Sequence, residues 1–359
     1  MLVHKIPLCF LFFLTLILTC DAFASAYKTK IGLNVEHTNN SGLLPKNQVH
    51  HDIKIEPSIG IDYTIASVNF HSNLNYSATR IDYEKNTFAD RSDVLGSGTF
   101  LWKIFDRNLV WNFYQNRSRL KVDSLLGDDP SNQTNRNIIH TGPRLSLDFG
   151  RNNTFSVDAS YVDSSFSQGI TNNSQQGRLG LEYQRTLNAQ DKFKVTAHAA
   201  DAKFDNSIFD YQSKRYGLTV ERNPRSFQYF ITIGHNSIDR NMGASFSGVY
   251  LSFSISANKG NSSWSFSGNR ELTDSSIGTG VSENLPGSQL NSDSNLSNAD
   301  IVERIRSDFI YRTWFANERV SFALNLYYDD QEYQTRMQDR KVYGLVTNFT
   351  YRSTRKLTF

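Results

Sequence analysis

From about Tyr27 onward, apolar and polar positions alternate one by one. Val68, Phe70, Leu74 and Tyr76 alternate with Asn69, His71, Asn73 and Asn75, and Phe155, Val157, Ala159 and Tyr161 with Ser156, Asp158 and Ser160. Val249, Leu251, Phe253, Ile255 and Ala257 alternate with Tyr250, Ser252, Ser254 and Ser256, and Val320, Phe322, Leu324 and Leu326 with Ser321, Ala323 and Asn325. Successive side chains of a strand point to opposite faces, so each segment predicts a strand with one apolar and one polar face.

The connections between these segments alternate in length. Short ones fall at Ala66-Ser67, Asp106 to Asn108, Gly150 to Asn153, Asn188 to Asp191, Asn223 to Ser226, Asn258 to Ser262 and Phe315 to Glu318. They are rich in Asn, Asp, Gly and Ser, which tolerate tight-turn dihedrals. Long ones are expected over roughly 39–49, 80–95, 123–137, 164–176, 203–213, 238–245, 272–300 and 329–341. Seven short and eight long connections predict sixteen strands with both termini on the short-turn side. That is the layout of a bacterial outer-membrane barrel: all-β, one closed antiparallel sheet, short periplasmic turns and long extracellular loops.

The competing reading is a secreted β-sandwich. Sandwich domains fit about seven to nine strands into about 100 residues, whereas strands here recur about every 21 residues. Aromatic placement also favours the barrel. Trp102 lies just before a short turn, and Trp111, Phe155, Phe193 and Trp264 just after one, on the apolar face. Rings at one height make an interfacial girdle. Tyr76, Tyr161, Tyr216 and Tyr328 lie beside long loops and are candidates for the opposite girdle. The last strand keeps Leu345, Phe349, Tyr351 and Leu357 on one parity and ends at Phe359, like the C-terminal signal by which such barrels are recognised for insertion.

Residues 1–26 are expected to be a cleaved secretory leader. Lys5 is its positive start, Ile6 to Thr19 its apolar run, and Ala22-Phe23-Ala24 or Ala24-Ser25-Ala26 its cleavage site. The run is short for a membrane anchor. Ile17 to Cys20 resembles a lipoprotein box, but Thr19 is larger than usual there. Residues 27–359 then form the barrel. Both cysteines, Cys9 and Cys20, fall in the leader, so disulfides, thiolate metal sites and cysteine nucleophiles are excluded from the mature chain. Cleavage takes Lys5 and Asp21, moving the balance from 38 basic and 35 acidic residues to 37 and 34. No basic field for nucleic acid results. A mean hydropathy of -0.47 excludes a bundle of membrane helices.

Two blocks carry a family likeness. Gly98 to Trp102 with Asp106-Arg107-Asn108-Leu109 and Trp111 form one, and Asn137 to Pro143 leading to Tyr161 form the other. They resemble the outer-membrane barrels associated with exosortase/PEP-CTERM systems and exopolysaccharide loci. The resemblance implies a Gram-negative outer-membrane location and a link to exopolysaccharide export. It supplies no catalytic residues.

With the apolar face toward lipid, parity places Arg178, Glu182, Lys194, His198, Glu221, Arg304, Arg306, Asp308, Arg312 and Arg352 on the lumen. Lipid-facing Arg or Lys at mid-depth costs about 2–4 kcal/mol, which favours the inward direction. The lumen reads either as a conduit with an arginine stripe for anionic solutes or as a wall of mutually paired charges. His198 near Asp158 or Glu182 is the one hydrolase hint; neither G-x-S-x-G nor H-E-x-x-H occurs. His50-His51 point to opposite faces if extended. Asp128-Asp129 and Asp293 to Asp300 lack the spacing of a calcium loop. No cofactor is expected.

The expected function is therefore a porin-like channel. A non-conducting docking barrel is the alternative, and a barrel-embedded hydrolase the weaker third. Expected partners are outer-membrane lipid and lipopolysaccharide, the barrel assembly machinery, and exopolysaccharide or periplasmic export components.

Overall fold

A computed structural model describes residues 24–38, 52–85, 87–105, 108–121, 130–167, 173–224, 226–274, 301–315, 320–334, 338–354 and 357–358. The expected leader up to residue 23, the pairs His50-His51 and Asp128-Asp129, the segment 275–300 and Phe359 lie outside these residues.

Sixteen antiparallel strands form one barrel sheet. They are β1 (Ala24–Thr38), β2 (Asp52–Ala66), β3 (Phe70–Tyr83), β4 (Arg91–Phe105), β5 (Leu109–Lys121), β6 (Gln133–Phe149), β7 (Asn153–Phe166) and β8 (Ser174–Thr186). There follow β9 (Asp191–Phe204), β10 (Tyr211–Arg222), β11 (Phe227–Arg240), β12 (Phe246–Lys259), β13 (Ser262–Asp274), β14 (Ile301–Phe315), β15 (Val320–Tyr333) and β16 (Gln338–Thr354). A two-residue strand, β17 (Leu357–Thr358), folds back on β16. Each of the sixteen pairs with its successor. Pairing begins at Ala24, opposite Ala66, so the last three residues of the expected leader sit in strand.

The sequence reading expects 28–38 to zip against 342–352. No ladder between β1 and β16 occurs among the described residues.

At the end carrying the short connections, the turn geometry is local. Gly150 and Gly260 adopt φ of +69° and +56° in two of these turns, values that cost a glycine nothing. The Ser67 amide donates to Phe70 O at 2.8 Å in a third.

Five of the opposite connections are shorter than expected. The strands stop only at 84–90, 167–173, 205–210, 241–245 and 334–337, each within the bounds of the predicted loop. Side chains close several of them. The backbone amides of Tyr83, Phe166 and Phe204 donate to Asp90 Oδ1 (3.2 Å), Asn173 Oδ1 (2.9 Å) and Asp210 Oδ1 (2.8 Å). In each case the last amide of one strand is held by a side chain just before the next.

Register fixes the faces. Outward are Trp102 opposite Trp111, Leu145 opposite Val157, Leu181 opposite Ala197, Ile233 opposite Leu251 and Phe266 opposite Phe309. On β6 the outward apolar row runs from Phe149 to Ile139. Its ten steps span roughly 34 Å of strand and roughly 25 Å of height at a tilt of about 40°, the depth of a bilayer's apolar band.

Above that belt the amphipathicity reverses. On β9 the outward row Val195, Ala197, Ala199 continues as Asp201 and Lys203, while the inward row Lys194, Thr196, His198 continues as Ala200, Ala202 and Phe204. On β3 Arg80 and Asp82 face out and Ile81 and Tyr83 face in; on β15 Asp330 and Glu332 face out and Tyr333 faces in. Ala202, Phe204, Tyr211, Ile238, Leu272 and Ile301 form a buried cluster, packed by Phe209 and Phe246. Of this cluster, Ala202, Phe204, Tyr211 and Ile238 hold inward register positions at the loop end.

Candidate functional site

The inner face between turns and cluster is polar and paired. Lys30 meets Asp62 at 2.7 Å, which also accepts from Asn75 Nδ2 at 2.6 Å. Lys54 meets Glu56 at 2.8 Å, and Lys194 meets Glu221 at 2.9 Å. Water reaches these pairs, so each contributes little to stability, about 0–1 kcal/mol. What they do is set the sign and spacing of charge along the wall.

The densest polar patch lies on β6 to β9. Arg144 Nη2 donates to Glu182 Oε1 at 2.7 Å, and Arg178 Nε donates to Gln176 Oε1 at 2.5 Å. Together with Asn112, His140, Asp158, Thr196 and His198 these groups line a recess of about 80 Å³. Gly180 leaves the space for Asp158: a Cβ there would meet the carboxylate oxygens at 2.5 and 2.6 Å. Such a recess holds several waters or a small polar group, not a whole sugar ring. The β6–β7 ladder skips Gly142-Pro143 against Ala159-Ser160 beside it. Proline has no N–H to give a ladder, and a Cβ on Gly142 would strike Ala159 O at 2.0 Å, so only glycine lets the two backbones pass. An open, mostly apolar groove of about 680 Å³ shares this thinned patch of wall, with Trp111, Pro143, Tyr161 and Leu179 among its lining.

The second polar row lies on β14. Arg304 is buried and grips Asp329 with both arms, Nε to Oδ1 at 2.6 Å and Nη2 to Oδ2. Gln331 Nε2 also donates to Asp329 at 3.2 Å, and Tyr333 Oη donates to Gln331 Oε1 at 3.1 Å. Arg306 bonds Asp308 along its own strand at 2.8 and 3.2 Å. The expected arginine stripe is therefore largely neutralised by Asp308 and Asp329.

Arg178, Glu182, Lys194, His198, Glu221, Arg304, Arg306, Asp308 and Arg312 lie at register positions opposite in parity to the apolar row. Arg178, Glu182 and His198 come together in the recess, and Lys194 and Glu221 pair below it. Arg312 faces Ser263 and Ala323 on its neighbours, nearer the turns. Arg352 is placed by its strand only. The sequence reading misses Arg144 and His140, although the inward parity of their strand points to them, and Asp329, which falls in the expected loop 329–341.

Of the expected girdle, Trp102 and Trp111 are cross-strand partners, 51% and 42% exposed, and Trp111 Nε1 donates to Thr141 Oγ1 at 2.9 Å. Phe155, Phe193 and Trp264 share the outward face near the turns. Tyr161, Tyr216 and Tyr328 stand outward where the belt gives way to charge. Tyr76 bonds the Gln115 side chain instead. Two large inward rings are held in place: Arg215 stacks over Tyr250 at 4.6 Å, and Tyr327 covers Gly344.

Above the belt, Asp52 is buried at the loop end of β2 and accepts from the amides of Lys85 (3.0 Å) and Thr87 (3.2 Å). Burial is the largest single influence on its carboxyl and pushes it up. The Thr87 hydroxyl and the Lys85, Ile53 and Thr87 amides together outweigh it and hold the carboxyl below its ordinary value.

No protein-family model matches the chain, and no curated protein does. Among solved structures it is similar to OccK2 (OpdF) of Pseudomonas aeruginosa in complex with glucuronate, with TM-score 0.44 and 11% identity over 92% of this chain and 87% of that one. It is also similar to OccAB3 of Acinetobacter baumannii, with TM-score 0.41 and 7% identity over 94% and 99%. The siderophore receptor PirA of Pseudomonas aeruginosa gives TM-score 0.46 and 14% identity over 93% and 63%. Among the described residues no group of three or more His, Cys, Asp and Glu could hold a metal ion.

Proposed function

We propose that the chain is a porin-like β-barrel channel of the Gram-negative outer membrane, working without covalent chemistry. One observation carries this reading. Across the belt the outward side chains of the sheet are apolar while the inward ones are ionic and paired, an arrangement that suits lipid outside and water inside. Selectivity in such a bore comes from width and wall charge. The paired wall favours polar solutes of either sign over strongly anionic ones, and the resemblance to exopolysaccharide-locus barrels suggests a sugar polymer as cargo. Lipopolysaccharide, the barrel assembly machinery and periplasmic export components are the partners this reading implies.

The experiment has two steps. Membrane fractionation with heat-modifiable gel mobility tests the barrel. Planar-bilayer recording of the native chain and of Phe204→Ala, which loosens the packed loop end, tests the channel. Stepwise conductance, larger in the variant, is expected. If neither passes ions, the chain is a docking barrel, the second reading, which the apolar cluster inside the loop end favours.

A further inference from the structure

On several strands, β3 and β11 among them, the burial of inward side chains is graded along the barrel axis. On β3 the inward row starts exposed at His71, Asn73 and Asn75, is half-buried at Ser77 and Thr79, and ends buried at Ile81 and Tyr83. On β11 it passes from exposed Gln228 and Phe230 through Thr232 and Gly234 to buried Asn236 and Ile238. A bore equally open at both ends would wet both ends of these rows alike.

The buried end is also fastened. The apolar cluster draws on β9, β10, β11, β13 and β14, with Phe209 folded in from the 205–210 connection, its ring edge-on to Phe204 at 6.3 Å. On the β14–β15 side, Arg304, Asp329, Gln331 and Tyr333 form the buried hydrogen-bonded chain described above. Gln176 Nε2 ties β8 to Tyr211 Oη at 3.3 Å.

We propose that this loop-end ring is a seal: a water-excluding collar that shuts the lumen to the external medium. Solute then reaches the charged wall from the turn side, and passage requires the collar to part. The inference rests on the outer-membrane reading, which places the loop end outside. Two places in the sheet are built to part. The β4–β5 ladder ends at Gly96–Arg117, and the β12–β13 ladder at Leu251–Arg270, although all four strands run on. Gly96, at φ +149°, marks the first break. Above it, side chains replace the ladder: Asp93 bonds Arg119 and Asn135, and Arg91 Nη2 donates to Gln133 at 2.7 Å. Above the second, Asn236 Nδ2 spans from β11 to Leu272 O on β13 at 2.5 Å. Opening there breaks a few side-chain bonds rather than a row of backbone ones.

The test is thiol labelling with a membrane-impermeant maleimide, in a chain whose own cysteines, Cys9 and Cys20, both precede Ala24. Lys203→Cys faces out on the collar, Ala202→Cys faces in, and Thr196→Cys lies on the wall below. Labelling in denaturant shows that each variant is present. On intact cells Lys203→Cys is expected to label quickly, Ala202→Cys about tenfold more slowly or less, and Thr196→Cys only after the periplasm is opened. Labelling of Ala202→Cys or Thr196→Cys from outside at the Lys203→Cys rate overturns the seal. Failure of Lys203→Cys to label on intact cells overturns the membrane orientation itself and the seal with it.

Discussion

The belt and the collar are made from the same sixteen strands, yet each turns the other inside out. In the belt, Leu181 and Val195 face outward and Glu182 and Lys194 inward; in the collar, Asp201 and Lys203 face outward and Ala202 and Phe204 inward. Strand pleating is identical in both. What changes is the medium each face meets, hydrocarbon then water outside, water then packed protein inside. A strand that leaves the bilayer behaves as a soluble half-buried strand, and the hydrophobic effect reassigns its faces accordingly.

Five single substitutions and one double variant probe this contrast. The largest effect is expected at the buried ion pair: Asp329→Ala removes the carboxylate that the buried Arg304 guanidinium grips with both arms and costs about 3–5 kcal/mol. The double variant Arg304→Met/Asp329→Leu recovers most of the loss. Urea unfolding in detergent micelles reads both, and a small Asp329→Ala effect would show the pair to be hydrated. Phe204→Ala removes a ring from the cluster and costs about 3 kcal/mol or more by the same assay, since it leaves a cavity among Phe209 and Tyr211.

The belt boundary is tested on β8. Arginine at Leu181 costs about 2–4 kcal/mol in a bilayer, whereas arginine at Gln175, outward on the same strand but above the belt, changes stability by no more than about 0.5 kcal/mol. Equal penalties would erase the distinction. The smallest effect concerns acid. Because the Asp52 carboxyl is held below its ordinary value, the folded chain binds that proton less readily than the unfolded one. The stabilisation is present at neutral pH and is lost as pH falls through and below about 4. Asp52→Asn should be slightly less stable at neutral pH and show a shallower acid-unfolding limb.

The belt was legible in the sequence because one face there is uniformly apolar: strand number, turn positions, lumen parity and the Trp102–Trp111 height all follow from alternation. The collar was not. Where Asp201-Ala202-Lys203-Phe204 reverses the sense of the pattern, alternation read as lipid-out stops, and the strand ends read as the loops 203–213, 80–95 and 329–341. The partners of the lumen charges were hidden for another reason. Register across strands far apart in sequence decides that Arg304 meets Asp329 and Arg144 meets Glu182, and parity alone gives a face but no neighbour.

The brevity of connections such as 205–210 and 241–245 has a consequence for surface recognition. Antibodies or phage meeting the collar's exterior face side chains contributed by adjacent strands, such as Asp201 beside Gln212, rather than long continuous peptides. Epitopes on those strand ends are conformational, so sera raised against linear fragments of them bind the boiled chain and miss the native one.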